Sequence, residues 1–294
     1  MSLKKRFLST WQTEKSHPDQ EKITKESEFL THLQARRHLN AGTKARLKSI
    51  SKEPNIPGIT KGTRQFFRIK ALIYLFKHDK GGQITKFLIK KPLLYFTRYI
   101  RELLFSLVRG KSYFRDGDFF YYGIKNTDSW CQRALCNNTL LVLGFSYCHK
   151  PLECPSGRFT DRCMNDPHNE VCQSCFISEL REVKKFLPDV HLITIPTVHA
   201  IGSTLLEIQD KYPKKKILFL ITACEMTLEM FGEFGALAGA RGIGVRLGGR
   251  ICNTMRAFEL SEEGIKPGLT HILPETQVRM LALLSSLIEK KQAC

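Results

Sequence analysis

The first 126 residues contain no cysteine, although the chain of 294 residues has ten. They are also short of acids, with 10 Asp and Glu against 27 Lys and Arg. No apolar run approaches the eighteen or so residues of a membrane-crossing helix. The start lacks the apolar core of a secretory signal, because Lys4, Lys5 and Arg6 are followed by Phe7-Leu8 and then by polar Ser9-Thr10. No recognised nucleic-acid-binding motif accompanies the basic charge. A reducing, cytoplasmic setting is therefore expected, in which disulfides are rare. Any membrane contact is expected to be peripheral, on the inner face.

What is present divides the chain. Residues 127–294 carry 19 Lys and Arg against 18 Asp and Glu, and nine of the ten cysteines fall within 127–252. A basic, cysteine-free front thus precedes a neutral, cysteine-rich back. Residues 1–60 read as a polar basic tail, loosely helical or disordered, with one helix from about Glu26 to Arg37. Residues 61–126 read as an amphipathic basic helical region. Residues 127–294 read as an α/β cysteine-rich metal-binding domain.

In the front, Arg64 to Lys77 mixes aromatics, aliphatics and bases, and Ile84 to Leu107 repeats the style after Gly81-Gly82. Pro92 suits the first turn of a second helix. Basic amphipathic helices with aromatic residues lie in membrane interfaces, where anionic lipid attracts each nearby base by roughly 1 kcal/mol. An anionic membrane surface is the expected partner. Nucleic acid, bound through phosphates, and simple packing against the back domain are the alternatives. Lys111 to Tyr122 reads as a linker or short hairpin turning at Asp116-Gly117.

The centre of the back is the stretch from Cys148 to Cys175, spaced Cys148-x5-Cys154-x8-Cys163-x8-Cys172-x2-Cys175. Its Pro, Gly, Asp and Asn content marks a loop, and a loop this long needs an organiser. The C-x-x-C pair Cys172/Cys175 suits chelation of a metal, and four thiolates equally hold an iron–sulfur cluster. Free or redox-active thiols and disulfides are the bland alternatives.

Around this loop, strand and helix patterns alternate. Thr139–Phe145 is a continuous apolar run, as in a strand buried on both faces. Further strands are expected at His191–Pro196, Ile217–Ile221 and Gly242–Leu247. Helices are expected over Phe176–Leu187, from a capping box Thr204–Glu207 to Tyr212, from a second capping box Thr222–Glu225 to Arg241, and over Met255–Gly264 and Pro274–Lys291. The class is α/β, a Rossmann-like, mostly parallel sheet with a cysteine-rich loop, preceded by a basic helical N-terminal region. Ligands of such sheets sit beyond the carboxyl ends of the strands. Cys148, Cys224 and Cys252 each follow a strand and should meet at that edge. The expected metal ligands are Cys148, Cys154, Cys163, Cys172, Cys175, Cys224 and Cys252, converging on one centre. Gly248-Gly249 between Arg246 and Arg250 could form a small anion nest or a simple turn.

With the strand ending in Cys148-His-Lys-Pro-Leu-Glu-Cys154-Pro155, the later Cys172-x-x-Cys175, the strand ending Thr222-Ala-Cys-Glu225 and the turn at Cys252-Asn-Thr254, residues 135–265 resemble the domain-of-unknown-function family 116. The chain departs from that pattern in a longer polar insert around Cys163 to Val171 and in Arg250-Ile251 before Cys252. The resemblance implies a cysteine-ligated metal protein of iron–sulfur kind; seven converging cysteines favour iron–sulfur over zinc, which needs only four. The expected activity is redox or sulfur chemistry on a small or lipid-linked substrate. The rival is a non-catalytic zinc-stabilised module that binds nucleic acid or a protein partner.

Overall fold

The computed structural model describes residues 56–77, 81–109, 113–235, 239–266 and 268–292. The helix expected near Glu26–Arg37, with the rest of the tail to residue 55, lies outside them. Among the described residues the chain opens with four helices, α1 (Lys61–Arg64), α2 (Phe67–Lys77), α3 (Gly81–Lys90) and α4 (Pro92–Arg109). Pro92 opens α4, where its missing N–H costs nothing. The hairpin β1 (Phe114–Asp116) and β2 (Phe119–Tyr122) turns through Gly117, whose φ of +58° suits a residue without a side chain.

The back then runs α5 (Thr127–Ala134), β3 (Thr139–Ser146), the cysteine loop with α6 (Glu170–Ser174), α7 (Phe176–Arg181), β4 (His191–Ile195) and α8 (Val198–Lys211). It continues with β5 (Lys216–Ala223), α9 (Glu225–Phe234), β6 (Arg241–Arg246), β7 (Gly248–Gly249), α10 (Met255–Glu262), β8 (Thr270–His271) and α11 (Pro274–Gln292). Six strands form one sheet in the order β1-β2-β6-β5-β3-β4. The four strands β6, β5, β3 and β4 are mutually parallel, and the hairpin adds an antiparallel edge. This is the Rossmann-like α/β class. The chain leaves β3 toward β4 on one side and returns to β5 on the other, so the topological switch point lies between β3 and β5.

Burial follows from the apolar strands. Leu143, Phe145, Phe219 and Ile221 are fully buried in the sheet's centre. Trp130 of α5 lies beneath it and donates its indole N–H to the Phe219 carbonyl at 2.9 Å. Met280, Leu283, Leu284 and Leu287 of α11 complete the core, each contributing about 1.5–3 kcal/mol by burial. Gly242 is required by close approach, because a Cβ there would stand 2.1 Å from the Phe219 carbonyl oxygen.

The front helices pack one face on this body. Ala71, Tyr74, Leu75 and Tyr95 belong to the core, and the Tyr74 ring meets Phe258 edge-on at 5.4 Å. Their other face is apolar and exposed, at Phe66, Ile69 and Ile73 around α2 and at Leu93, Phe96 and Leu104 along α4.

Both capping boxes read in the sequence are corrected. The helix expected to open at Thr204 begins at Val198, capped by Thr197, whose side chain accepts from the Ala200 N–H at 3.0 Å. Thr204 lies inside it. Thr222 does not cap α9 either. The β5–β6 ladder continues through Thr222 opposite Val245 and Ala223 opposite Arg246, so strand pairing takes Thr222 and moves the N-cap to Cys224.

Candidate metal centre

Cys148 leaves the end of β3 in a single 3-10 turn, Tyr147–His149. Ser146 starts that turn by accepting from the Cys148 N–H at 3.3 Å. Thr270 then fixes the Cys148 carbonyl with a hydroxyl at 2.6 Å. Two residues on, Lys150 enters the loop and is almost wholly buried. Its ammonium reaches the carbonyls of Gly157 at 3.2 Å, Thr160 at 2.9 Å and Arg162 at 2.6 Å, and the Thr160 hydroxyl at 3.0 Å. One buried lysine thereby winds residues 157–162 around itself, since its three donors find four oxygens.

Three thiols lie near that lysine, and a fourth, Cys172, lies near two of them. Burial lowers the Lys150 ammonium, and the nearby thiols of Cys154, Cys163 and Cys175 pull it back. Burial likewise raises the Cys172 thiol, and Cys154 and Cys163 raise it further, while the backbone N–H of Asp166 favours its thiolate. Burial pushes the Cys175 thiol up to about 11 against the pull of the Ser178 and Ile177 N–H groups. Asn169 holds the C-x-x-C turn by accepting from the Val171 and Cys172 N–H groups at 3.0 and 3.2 Å. Cys163, which lies in the polar insert, belongs to this set.

Cys148, Cys224 and Cys252 form another set, at the carboxyl edge. All three are buried. Burial pushes the Cys224 thiol up to about 12, with Cys252 and Cys148 adding to it. Burial also raises Cys148, against the Lys266 ammonium. Lys266 donates to the Cys252 sulfur at 3.3 Å. Burial alone would lower Lys266, but the three neighbouring sulfurs outweigh it and hold it raised. Cys224 also lies 3.3 Å from the Thr227 hydroxyl. The seven cysteines thus fall into a loop set of four and an edge set of three. None of the nine described cysteines is in a disulfide. Among the described residues, no group of three or more His, Cys, Asp and Glu side chains is placed to hold a metal ion.

The sets are tied together by Arg158, which donates to the carbonyls of Lys266 at 2.7 Å, Gly268 at 2.7 Å and Cys148 at 3.3 Å. Lys150, Arg158 and Lys266 were not singled out in the sequence. Lys150 and Arg158 sit in the cysteine loop, but Lys266 lies fourteen residues beyond Cys252, past α10.

The Gly-Gly turn has internal partners. Gly248 and Gly249 pair with His271 and Thr270 as a short ladder. The N–H groups of Arg250 and Ile251 go to the carbonyls of Leu269 and Gly249 at 2.9 and 3.0 Å. Arg246 donates to Asp118 at 2.9 Å and also faces the buried carboxylate of Glu225. Glu225 further meets Arg115 at 3.2 Å and Arg64 at 3.5 Å, so three guanidiniums surround it. Compared with known proteins, the chain matches no family model, no curated protein and no solved structure.

Proposed function

We propose that this chain is a cysteine-ligated metalloprotein that carries an iron–sulfur cluster at an anionic membrane surface. The observation that carries the proposal is that Cys154, Cys163 and Cys175 lie near buried Lys150, with Cys172 close to Cys154 and Cys163. The donor set is all sulfur, which suits iron–sulfur ligation. Backbone N–H groups face the sulfurs of Cys172 and Cys175, a device that tunes such centres. The ammonium of Lys150 offsets part of the negative charge that four thiolates bring. A bound cluster supplies one-electron transfer. The thiols of the loop would hold it, and Lys150 would offset part of its charge. Redox or sulfur chemistry on a small or lipid-linked substrate is the activity class that fits.

The membrane part of the proposal draws on the front. No described helix is long and apolar enough to cross a membrane. Leu93, Phe96 and Leu104 recur at helical spacing on the outer face of α4, with Lys90, Lys91 and Arg101 exposed nearby. Apolar residues rimmed by bases suit the lipid interface. A cavity of about 590 Å³ at the sheet's other edge is lined by Arg98, Arg101, Arg133, Lys216 and Arg241, which adds to the attraction for anions. Four thiols can also close a structural zinc site. Metal and acid-labile sulfide analysis of anaerobically purified protein separates the two. Cys172→Ser and Cys175→Ser should each lose iron and sulfide together. Full metal retention in both variants, or zinc without sulfide in the unaltered chain, would contradict the proposal.

A further inference from the structure

We infer that the cavity at the amino ends of β3, β5 and β6 binds a ligand bearing two or three phosphate groups, carried on a lipid head or on a free compound. The inference names the ligand class for the anion-attracting surface. It rests on the membrane-surface reading above only for the lipid-borne form.

The cavity encloses about 590 Å³, within the range of small-molecule sites. Thr139, Lys216 and Arg241 line it and are the first residues of β3, β5 and β6. Thr139 pairs with Lys216, and Arg241 lies opposite Leu218, so the three strand starts form one floor. α4 brings Arg98 and Arg101 from the front, and Arg133 comes from the last turn of α5. Bases therefore converge from three sides, and the described residues that line the cavity include no Asp or Glu. Glycines let two guanidinium side chains lie against bare backbone. A Cβ at Gly239, where φ is +65°, would stand 3.0 Å from Arg98 Nη1, and one at Gly123 would stand 3.1 Å from Arg241 Cγ.

Charge fixes the ligand class. A phosphate monoester carries about −1.5 to −2 at neutral pH, so the five bases match two or three such groups. Four of the five are arginines, whose planar forks take phosphate oxygens in pairs. Tyr122 and Phe231, with rings meeting edge-on at 5.6 Å, add an apolar wall for the ligand's carbon body. α4 relates the cavity to a surface. At about 100° per residue, Leu93, Phe96 and Leu104 share one side of α4, with Arg101 about 80° and Arg98 about 140° round from Leu93. The cavity thus opens beside the exposed apolar face, where lipid phosphates flank a helix lying in the interface.

The test uses the full chain, with sodium tripolyphosphate as the free probe, titrated calorimetrically at fixed salt. The unaltered protein should bind it. Arg133→Gln and Lys216→Gln should each bind it about tenfold more weakly, the loss of one charge-assisted contact. Arg256→Gln, whose side chain is 76% exposed on α10, should bind it as the unaltered protein does. Phosphatidylcholine vesicles carrying phosphatidylinositol bisphosphate should displace the probe, and phosphatidylserine vesicles of equal charge should not. Displacement by neither assigns the site to a free phosphorylated compound and leaves it standing. Leu93→Gln with Phe96→Gln should lose the vesicles yet keep tripolyphosphate, which separates failure of the membrane reading from failure of the site. No binding of tripolyphosphate, unchanged binding in both Arg133→Gln and Lys216→Gln, equal weakening by Arg256→Gln, or equal displacement by the two vesicles would overturn the site.

Discussion

Lys150 is the residue on which the cysteine loop depends most. It is buried, and its ammonium is the common partner of oxygens on Gly157, Thr160 and Arg162. Lys150→Met should destabilise the chain by about 3 kcal/mol, because it strands those oxygens without donors. Arginine should not rescue it, since a planar fork cannot serve the same convergent oxygens. Urea unfolding of the two variants checks this; midpoints equal to that of the parent would contradict it. Cys224 gives a second expectation, for the metal-free protein. Its thiol is held up at about 12, from an ordinary value of 9.0, chiefly by burial. A folded-state value above the unfolded one means that the neutral thiol is favoured on folding. The stabilisation is complete below the unfolded value and is lost as pH climbs from there through the folded one. Stability of the metal-free chain should therefore fall between pH 9 and pH 12, and Cys224→Ala should flatten that fall. Urea midpoints across the window measure it, and identical slopes in both proteins would count against it.

Among the elements, α2 and α4 each present two faces with different tasks. Tyr74 and Tyr95 face the core, while Ile69, Ile73, Leu93 and Phe96 face outward. Removing residues 64–109 whole would uncover the core, so the membrane claim is better tested on the outer face alone. Leu93→Glu with Phe96→Glu should weaken binding to anionic vesicles by roughly tenfold to a hundredfold, with the fold retained. Co-sedimentation shows the effect, and unchanged binding would mean that this face serves another purpose. The two-faced character also explains why amphipathic periodicity alone left membrane docking and packing side by side as readings. Both faces of these helices are rich in apolar residues, and only the tertiary contacts tell them apart. The strands were more legible. Thr139–Ser146 and Lys216–Ala223 are apolar throughout because both sheet faces are covered. The capping boxes misled because a Thr three residues before a Glu carries no record of competing strand pairing. At Thr222 the ladder to Val245 won.

For the molecule as a whole, the division between a basic front and a cysteine-bearing back was readable from charge and cysteine counts alone. The meeting of Cys148, Cys224 and Cys252 followed from parallel strands sharing one carboxyl edge. The separation of the loop set from the edge set did not, because spacing records who is near in sequence and not which side of a turn a sulfur takes. Lys150 and Lys266 were invisible for a related reason. Lysine in a polar loop is ordinarily solvated, and only the folded loop shows these two enclosed among oxygens and sulfurs. The basic cavity and the thiol sets lie at opposite edges of the sheet, which leaves the sulfur chemistry separate from the anion-attracting surface. The central claim is that the thiols bind iron and sulfide together. Its most direct test is the iron-edge X-ray absorption spectrum of the unaltered protein purified without oxygen. The account predicts iron with an all-sulfur first shell and a neighbouring iron beyond it. A protein without iron, or one whose metal is zinc with no second metal nearby, would contradict it.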